Sequence, residues 1–174
     1  MLKIKSINSR KKVYDWKIPD EWNIKDAYVL DNKNKKIIDF KKNNLHLVGY
    51  SIPVNKYIKK KELLKNLHSD KKRPGAIPYV TSYYKKNWGF CISENKKRKL
   101  NNGMYKVFID TVFSKGSLEC SHALIKGRSN KEIFFSSYVC HPSMANNELS
   151  GPALLNAVML YLKNNYKNNY YTYR

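Results

Sequence analysis

The sequence predicts a mixed α/β fold, with a β-rich region followed by a strand–loop–helix segment. Three observations carry this expectation. The first half holds short apolar runs separated by turn residues. Residues 131–139 form a near-continuous apolar run, the pattern of a strand covered on both faces in a parallel sheet. Residues 149–164 then place Leu154, Leu155, Val158, Met159 and Leu162 on one side of a helix.

Each element follows from its local chemistry. Residues 27–30 read as an apolar strand, and Asp31, Asn32, Lys33 and Asn34 supply a turn before a second strand at 36–40. Residues 46–52 form a third strand candidate, closed by Pro53. Leu63, Leu64 and Leu67 give 59–68 the spacing of a short amphipathic helix, and Pro74, Gly75 and Pro78 interrupt the chain beyond it. Tyr83, Tyr84 and 88–92 are expected in an aromatic core layer. Residues 105–112 and 117–125 read as a hairpin joined by Ser114, Lys115 and Gly116. Tyr170, Tyr171, Thr172 and Tyr173 have the β propensity of a further strand in the second sheet.

The chain has 174 residues, a formal charge of +21, 42% hydrophobic and 13% aromatic residues, so it can bury a core. The charge comes from 29 lysines and only 5 arginines, alongside 20 asparagines. Arginine is the residue that forks onto phosphate and guanine, so this balance describes a solvated lysine surface rather than a specific nucleic-acid site. The longest apolar run, 153–162, is broken by Asn156 and cannot span a membrane. No apolar stretch follows the charges at the N-terminus, so no secretory signal is visible and a cytoplasmic location is expected. Cys91, Cys120 and Cys140 lack the spacing of a zinc ribbon or a disulfide framework. Each is read as a small buried residue, in a reducing compartment.

The polar stretch after the apolar run is where chemistry concentrates. Residues 140–148 read Cys-His-Pro-Ser-Met-Ala-Asn-Asn-Glu and open a helix, at the carboxyl end of a strand where open α/β sheets bind ligands. His141 with Asn146, Asn147 and Glu148 has the residue types of a metal site or of acid–base work. The same residues also serve a plainer purpose: His141 ordering the loop, and Asn146 or Asn147 capping the helix. His122, on an alternating strand, reads as packed or solvated.

Residues 136–152, from Ser136 through His141, Asn147 and Glu148 to Pro152, resemble the first metal-binding segment of a bacterial zinc-aminopeptidase-like family. These are polysaccharide-biosynthesis proteins with an aminopeptidase-like domain, within the di-zinc exopeptidase group. Residues 13–22, 43–46, 50–53 and 77–91 resemble the same family in the same order. The resemblance implies a partial exopeptidase-like sheet with a flanking helix, plus a small β-rich inserted domain. The implied boundaries are 1–37 for the N-terminal part of the aminopeptidase-like domain, 38–105 for the insert and 106–174 for the first metal-site portion.

It further implies zinc, with His141 as a ligand, and a peptide or aminoacyl-type substrate for the complete protein. Asn147 falls where related exopeptidases carry a bridging Asp, and Glu148 is the carboxylate available to replace it. A neutral amide is a weak ligand and a poor bridge between two dications. The family's other ligands and its catalytic Glu lie downstream of the segment matched here. The expectation is therefore a truncated or split fragment, inactive alone, with a second chain or self-association completing the sheet. The alternatives are a non-catalytic interaction or structural module linked to surface polysaccharide biosynthesis, and a basic nucleic-acid-binding protein.

Overall fold

The computed structural model describes residues 2–141 and 144–174; Pro142 and Ser143 of the 136–152 motif lie outside the described residues. The chain runs through β1 (Lys3–Asn8), β2 (Lys12–Val13), β3 (Trp16–Lys17), β4 (Glu21–Leu30) and β5 (Lys36–Asp39). A 3-10 turn, Asn44–His46, leads to β6 (Val54–Lys59), α1 (Lys60–Lys65), β7 (Leu67–His68), β8 (Phe90–Cys91) and α2 (Glu94–Arg98). Then follow β9 (Met104–Ser114), β10 (Ser117–His122), β11 (Glu132–Ile133), α3 (Ala145–Asn165) and β12 (Thr172–Tyr173). These elements form two units: Asn8–Ser117, and Leu118–Arg174 with the residues up to Ile7.

The unit Asn8–Ser117 is built on one antiparallel sheet in the order β5-β4-β9-β6. Alternation along β9 explains it. Tyr105, Val107, Ile109 and Thr111 point inward while their neighbours stay partly open. Tyr105, Val107 and Ile109 meet Ala27 and Val29 of β4, Ile58 of β6 and Ile38 of β5, with Leu47, Leu63, Leu67, Phe90 and Ile92 closing the core. Asp31 Oδ1 accepts from the Lys33 and Lys35 backbone N–H groups, fixing the β4–β5 turn. An insert expected at 38–105 is thus part of a larger sheet, because β4 lies between β5 and β9 and ties 21–30 to it.

Several sequence expectations give way here. Residues 46–52 are not a strand: they form the end of the 3-10 turn and isolated bridges, and β6 begins only after Pro53. The helix expected over 59–68 is shorter, because Leu67 and His68 pair with Phe90 and Cys91 as β7–β8. No hairpin joins β9 to β10: both edges of β9 are taken by β4 and β6, and β10 pairs with β1. Tyr83 and Tyr84 are not core residues. They are exposed and join Tyr50, Trp22 and Phe113 in a surface aromatic cluster, in which Trp22 and Tyr50 stack at 5.6 Å.

Two histidines of this unit make its stability pH-sensitive. His46 is buried, with Nδ1 2.6 Å from the Cys91 carbonyl oxygen; burial lowers its pKa, which that hydrogen bond only partly offsets. His68 is likewise lowered, by burial and then by Lys97. The folded unit therefore binds fewer protons than the unfolded chain just below the ordinary value of 6.5. Its stability is complete above that value and drains as pH falls, before the carboxylates titrate. Urea midpoints should fall between about pH 7.5 and about pH 5.5, and His46→Gln should flatten the decline. A midpoint constant over that range would contradict this account.

In the other unit, β11 and β12 pair in parallel with α3 between them, a βαβ arrangement. Glu132 lies opposite Thr172 and Ile133 opposite Tyr173, and Arg174 grips Glu132 with two hydrogen bonds of 2.8 and 2.9 Å. Gly127 is needed where this strand pair meets its connecting loop. A Cβ there would stand 2.2 Å from the Tyr171 carbonyl oxygen, while its N–H donates to Thr172 Oγ1. The expected strand at 131–139 shrinks to Glu132–Ile133, and Phe134, Tyr138 and Val139 are exposed rather than doubly covered. On α3, Leu155, Val158, Met159 and Leu162 are half-buried, whereas Leu154 is 67% exposed. Among the described residues of this unit the buried ones are Glu148, Asn169 and Thr172, all polar.

Candidate metal centre

Beyond β11 the chain leaves strand geometry and reaches Cys140 and His141, immediately ahead of α3. Met144 occupies the N-cap of α3 without a side-chain cap bond, so neither Asn146 nor Asn147 caps this helix. Both lie inside its first turn with Glu148. A carboxylate there is favoured by the helix dipole. Gly151, one turn on, lies close to Ser137: a Cβ would stand 2.3 Å from the serine oxygen.

Three of the sequence-predicted site residues come together. His141 Nδ1 lies 3.1 Å from Asn147 Oδ1 and 3.0 Å from Glu148 Oε1. Glu148 Oε2 accepts from the backbone N–H of Cys140. The Glu148 side chain is only 8% exposed, against 28% for His141. Burial alone would raise the Glu148 pKa, but hydrogen bonds from Cys140 and His141 outweigh it and hold the carboxyl below its usual range. Glu148 thus stays an acceptor at neutral pH, with one oxygen tied to the backbone and the other turned to His141. Tyr138 meets the His141 ring edge-on at 6.4 Å.

Cys140 also belongs to this constellation. Its sulfur lies 3.3 Å from His141 Nδ1 and 3.7 Å from Nε2. Only Cys91 is the buried thiol the sequence suggested, and burial pushes its pKa up to about 12. Cys120 and Cys140 are exposed. The sequence signal for Cys140 was its position directly before His141. His122 stays outside the cluster, on β10.

Donor atoms of Cys140, His141 and Glu148 all lie within 4.8 Å of one another. They border an open depression whose apolar rim includes Val139, Met144, Ala145 and Leu149. A separate open cleft at 8–10 and 115–117 holds no such donors, and its Arg10 is already paired with Asp20 at 2.8 Å. The donor chemistry suits a borderline cation: one imidazole nitrogen, a carboxylate oxygen, an amide oxygen and a sulfur. One N–H satisfies one acceptor, yet two oxygens, Asn147 Oδ1 and Glu148 Oε1, converge on Nδ1 of His141, while the Cys140 sulfur lies over the ring face.

Residues 21–112 match a family described as "Domain of unknown function (DUF2172)". A Clostridium acetobutylicum protein named "Putative polysaccharide biosynthesis protein with aminopeptidase-like domain" is 48% identical over 154 residues, or 88% of this chain and 36% of that protein. The crystal structure of a "putative peptidase" from Clostridium acetobutylicum is also similar, with a TM-score of 0.86 and 44% identity. That match covers 99% of this chain and 40% of that one, so the chain spans about two fifths of the length of the relatives it matches. The mixed α/β chain has a peptidase-like fold, and the resemblance to aminopeptidase-like proteins carried by its motifs stands.

Proposed function

We propose that this chain, which belongs to the DUF2172 family, carries one side of the zinc site of an aminopeptidase-type hydrolase. The observation that carries the reading is the convergence of the Asn147 and Glu148 oxygens on His141 Nδ1 within 3.1 Å. His141 and Glu148 would hold the ion, with the Asn147 amide as a weak neutral ligand. Zinc bound there supplies Lewis acidity towards a carbonyl and a water of lowered pKa. The chain's own residues orient the site: the backbone N–H of Cys140 fixes one Glu148 oxygen, and α3 sets Asn147 and Glu148 one after the other on its first turn. The substrate class is a peptide or aminoacyl-type amide, in the setting of polysaccharide assembly that the similar protein's name gives.

Asn147 brings no charge, so this half-site favours a single ion over a bridged pair. Among the described residues near the cluster, no second carboxylate is placed for general-base work. The 174 residues alone therefore bind zinc without hydrolysing amides, and hydrolysis needs the remaining length found in the longer relatives, supplied in the same or a second chain. Zinc content after dialysis should be stoichiometric for the natural sequence and negligible for His141→Ala. Aminoacyl reporter amides should be cleaved only by a version extended to the relatives' length. If the extended version neither retains zinc nor cleaves any reporter, the hydrolase reading fails. The neutral Asn147 would then favour a non-catalytic interaction module, in which His141→Ala leaves partner binding intact.

A further inference from the structure

Tyr50 has a backbone φ of 64°, a left-handed conformation that a bulky side chain adopts only at a cost. Both of its neighbours hold it there. The Gly49 N–H donates to the Val80 carbonyl at 2.9 Å, and the Gly49 carbonyl accepts from the Ser82 N–H at 3.0 Å. On the other side the Ser51 carbonyl accepts from Trp22 Nε1 at 3.0 Å and from Thr111 Oγ1 at 2.9 Å. Strain that the surroundings over-determine in this way gathers where a protein grips a ligand.

Here it sets a ring at the surface. Tyr50 stacks on Trp22, and stands 4.9 Å from Tyr83 and 6.2 Å from Phe113. Trp22 and Tyr50 turn their faces to each other, whereas Tyr83, Tyr84 and Phe113 are exposed. The Tyr83 and Tyr84 rings are inclined by 50° at 6.4 Å, so open aromatic surface meets solvent in more than one plane.

The polar groups around the rings narrow the occupant. Burial, and then the nearby Tyr83, Tyr84 and Asp20, raise the Tyr50 pKa, so its hydroxyl is a neutral group beside a carboxylate. Arg10 holds that carboxylate with two hydrogen bonds of 2.8 Å, which engages the guanidinium an anionic ligand would need. A second copy of a chain with charge +21 would meet repulsion. A proline-rich segment brings few N–H donors for Asp20, which is still partly open to solvent. An uncharged ligand with apolar ring faces and hydroxyl edges suits every group: its C–H faces pack on the aromatic rings, and its hydroxyls pair with the phenols and the carboxylate.

We propose that Trp22, Tyr50, Tyr83, Tyr84 and Phe113 form a binding platform for a neutral oligosaccharide. This goes beyond the zinc reading and does not depend on it.

The test titrates the 174-residue chain calorimetrically with cellohexaose, maltohexaose and chitohexaose, and with heparin and a proline decamer as competing classes. At least one neutral hexasaccharide should bind, with an affinity that added salt leaves unchanged. Tyr83→Ala and Tyr84→Ala should each weaken that binding about tenfold or more. Tyr57→Ala removes an exposed tyrosine outside the cluster and should change nothing, which separates the platform from surface aromatics in general. Urea midpoints of the variants check that the fold survives. Binding of none of the three hexasaccharides overturns the proposal, as does binding that Tyr83→Ala and Tyr84→Ala leave intact. Tighter, salt-sensitive binding of heparin that the same variants abolish gives the platform to a polyanion instead, and preference for the proline decamer gives it to a peptide; either overturns the oligosaccharide. Self-association lost in Tyr83→Ala overturns it in favour of a second copy.

Discussion

Phe90→Ala should bring the β-rich unit to the edge of unfolding. Phe90 is fully buried on β8, where its ring sits among Leu47, Leu67 and Ile92 in the core. Its backbone is also fixed, donating to the Asn66 carbonyl and bridging Leu47, so the surroundings have little freedom to close over a void. Truncating a buried Phe costs about 3–5 kcal/mol, from lost transfer energy and the cavity left behind. A domain of this size has only about 5–15 kcal/mol to lose. With a urea dependence of roughly 1–3 kcal/mol per molar, the midpoint should fall by about 1–5 M. Tyr84→Ala is the matched control: that ring is 65% exposed and its hydroxyl makes one hydrogen bond, to the Lys17 carbonyl. Its cost should stay near or below about 1 kcal/mol. Equal midpoints for the two variants would mean that the core is not where the structure puts it.

Native-state hydrogen exchange should divide the chain in two. Amides of β9, flanked by β4 and β6, should exchange only through global unfolding of their sheet. Amides of α3 should exchange orders of magnitude faster. The reason is compositional as well as structural: Leu149, Leu154, Leu160 and Tyr161 of this helix are all at least half exposed, and the few buried residues of its unit are polar. Hydrophobic burial is the main force opposing chain entropy, and a 21-residue helix without it is marginal in water. In a version extended to the length of the longer relatives, α3 should become protected. Equal protection of α3 and β9 in the 174-residue chain would show that α3 needs no further covering.

What the sequence made legible follows from how local each signal is. The β4–β5 turn was readable because Asp31 acts on its own neighbours, and α3 because its periodicity is internal to one segment. The failures concern partners. Phe134, Tyr138 and Val139 are as apolar as a buried strand demands, but an apolar run says nothing about what covers it. Ser114, Lys115 and Gly116 make a plausible tight turn, yet the pairing of β9 is decided by β4 and β6, from distant parts of the chain. At the site, His141, Asn147 and Glu148 were visible as residue types within one short loop. Cys140 reads as a small buried residue notable for its place beside His141 in the sequence; only the fold shows that it is exposed with its sulfur against the His141 ring.

The pairing of β1 with β10 has a consequence for synthesis. The partner of Lys3–Asn8, Ser117–His122, is made more than a hundred residues after it. At translation rates of about 5–20 residues per second, the first strand waits roughly 5–20 s with its hydrogen-bonding edge open. Meanwhile every residue of the sheet β5-β4-β9-β6 emerges and can fold. β1 thus leaves the ribosome well before the strand that covers its edge, and in that interval its open edge is free to pair with another chain.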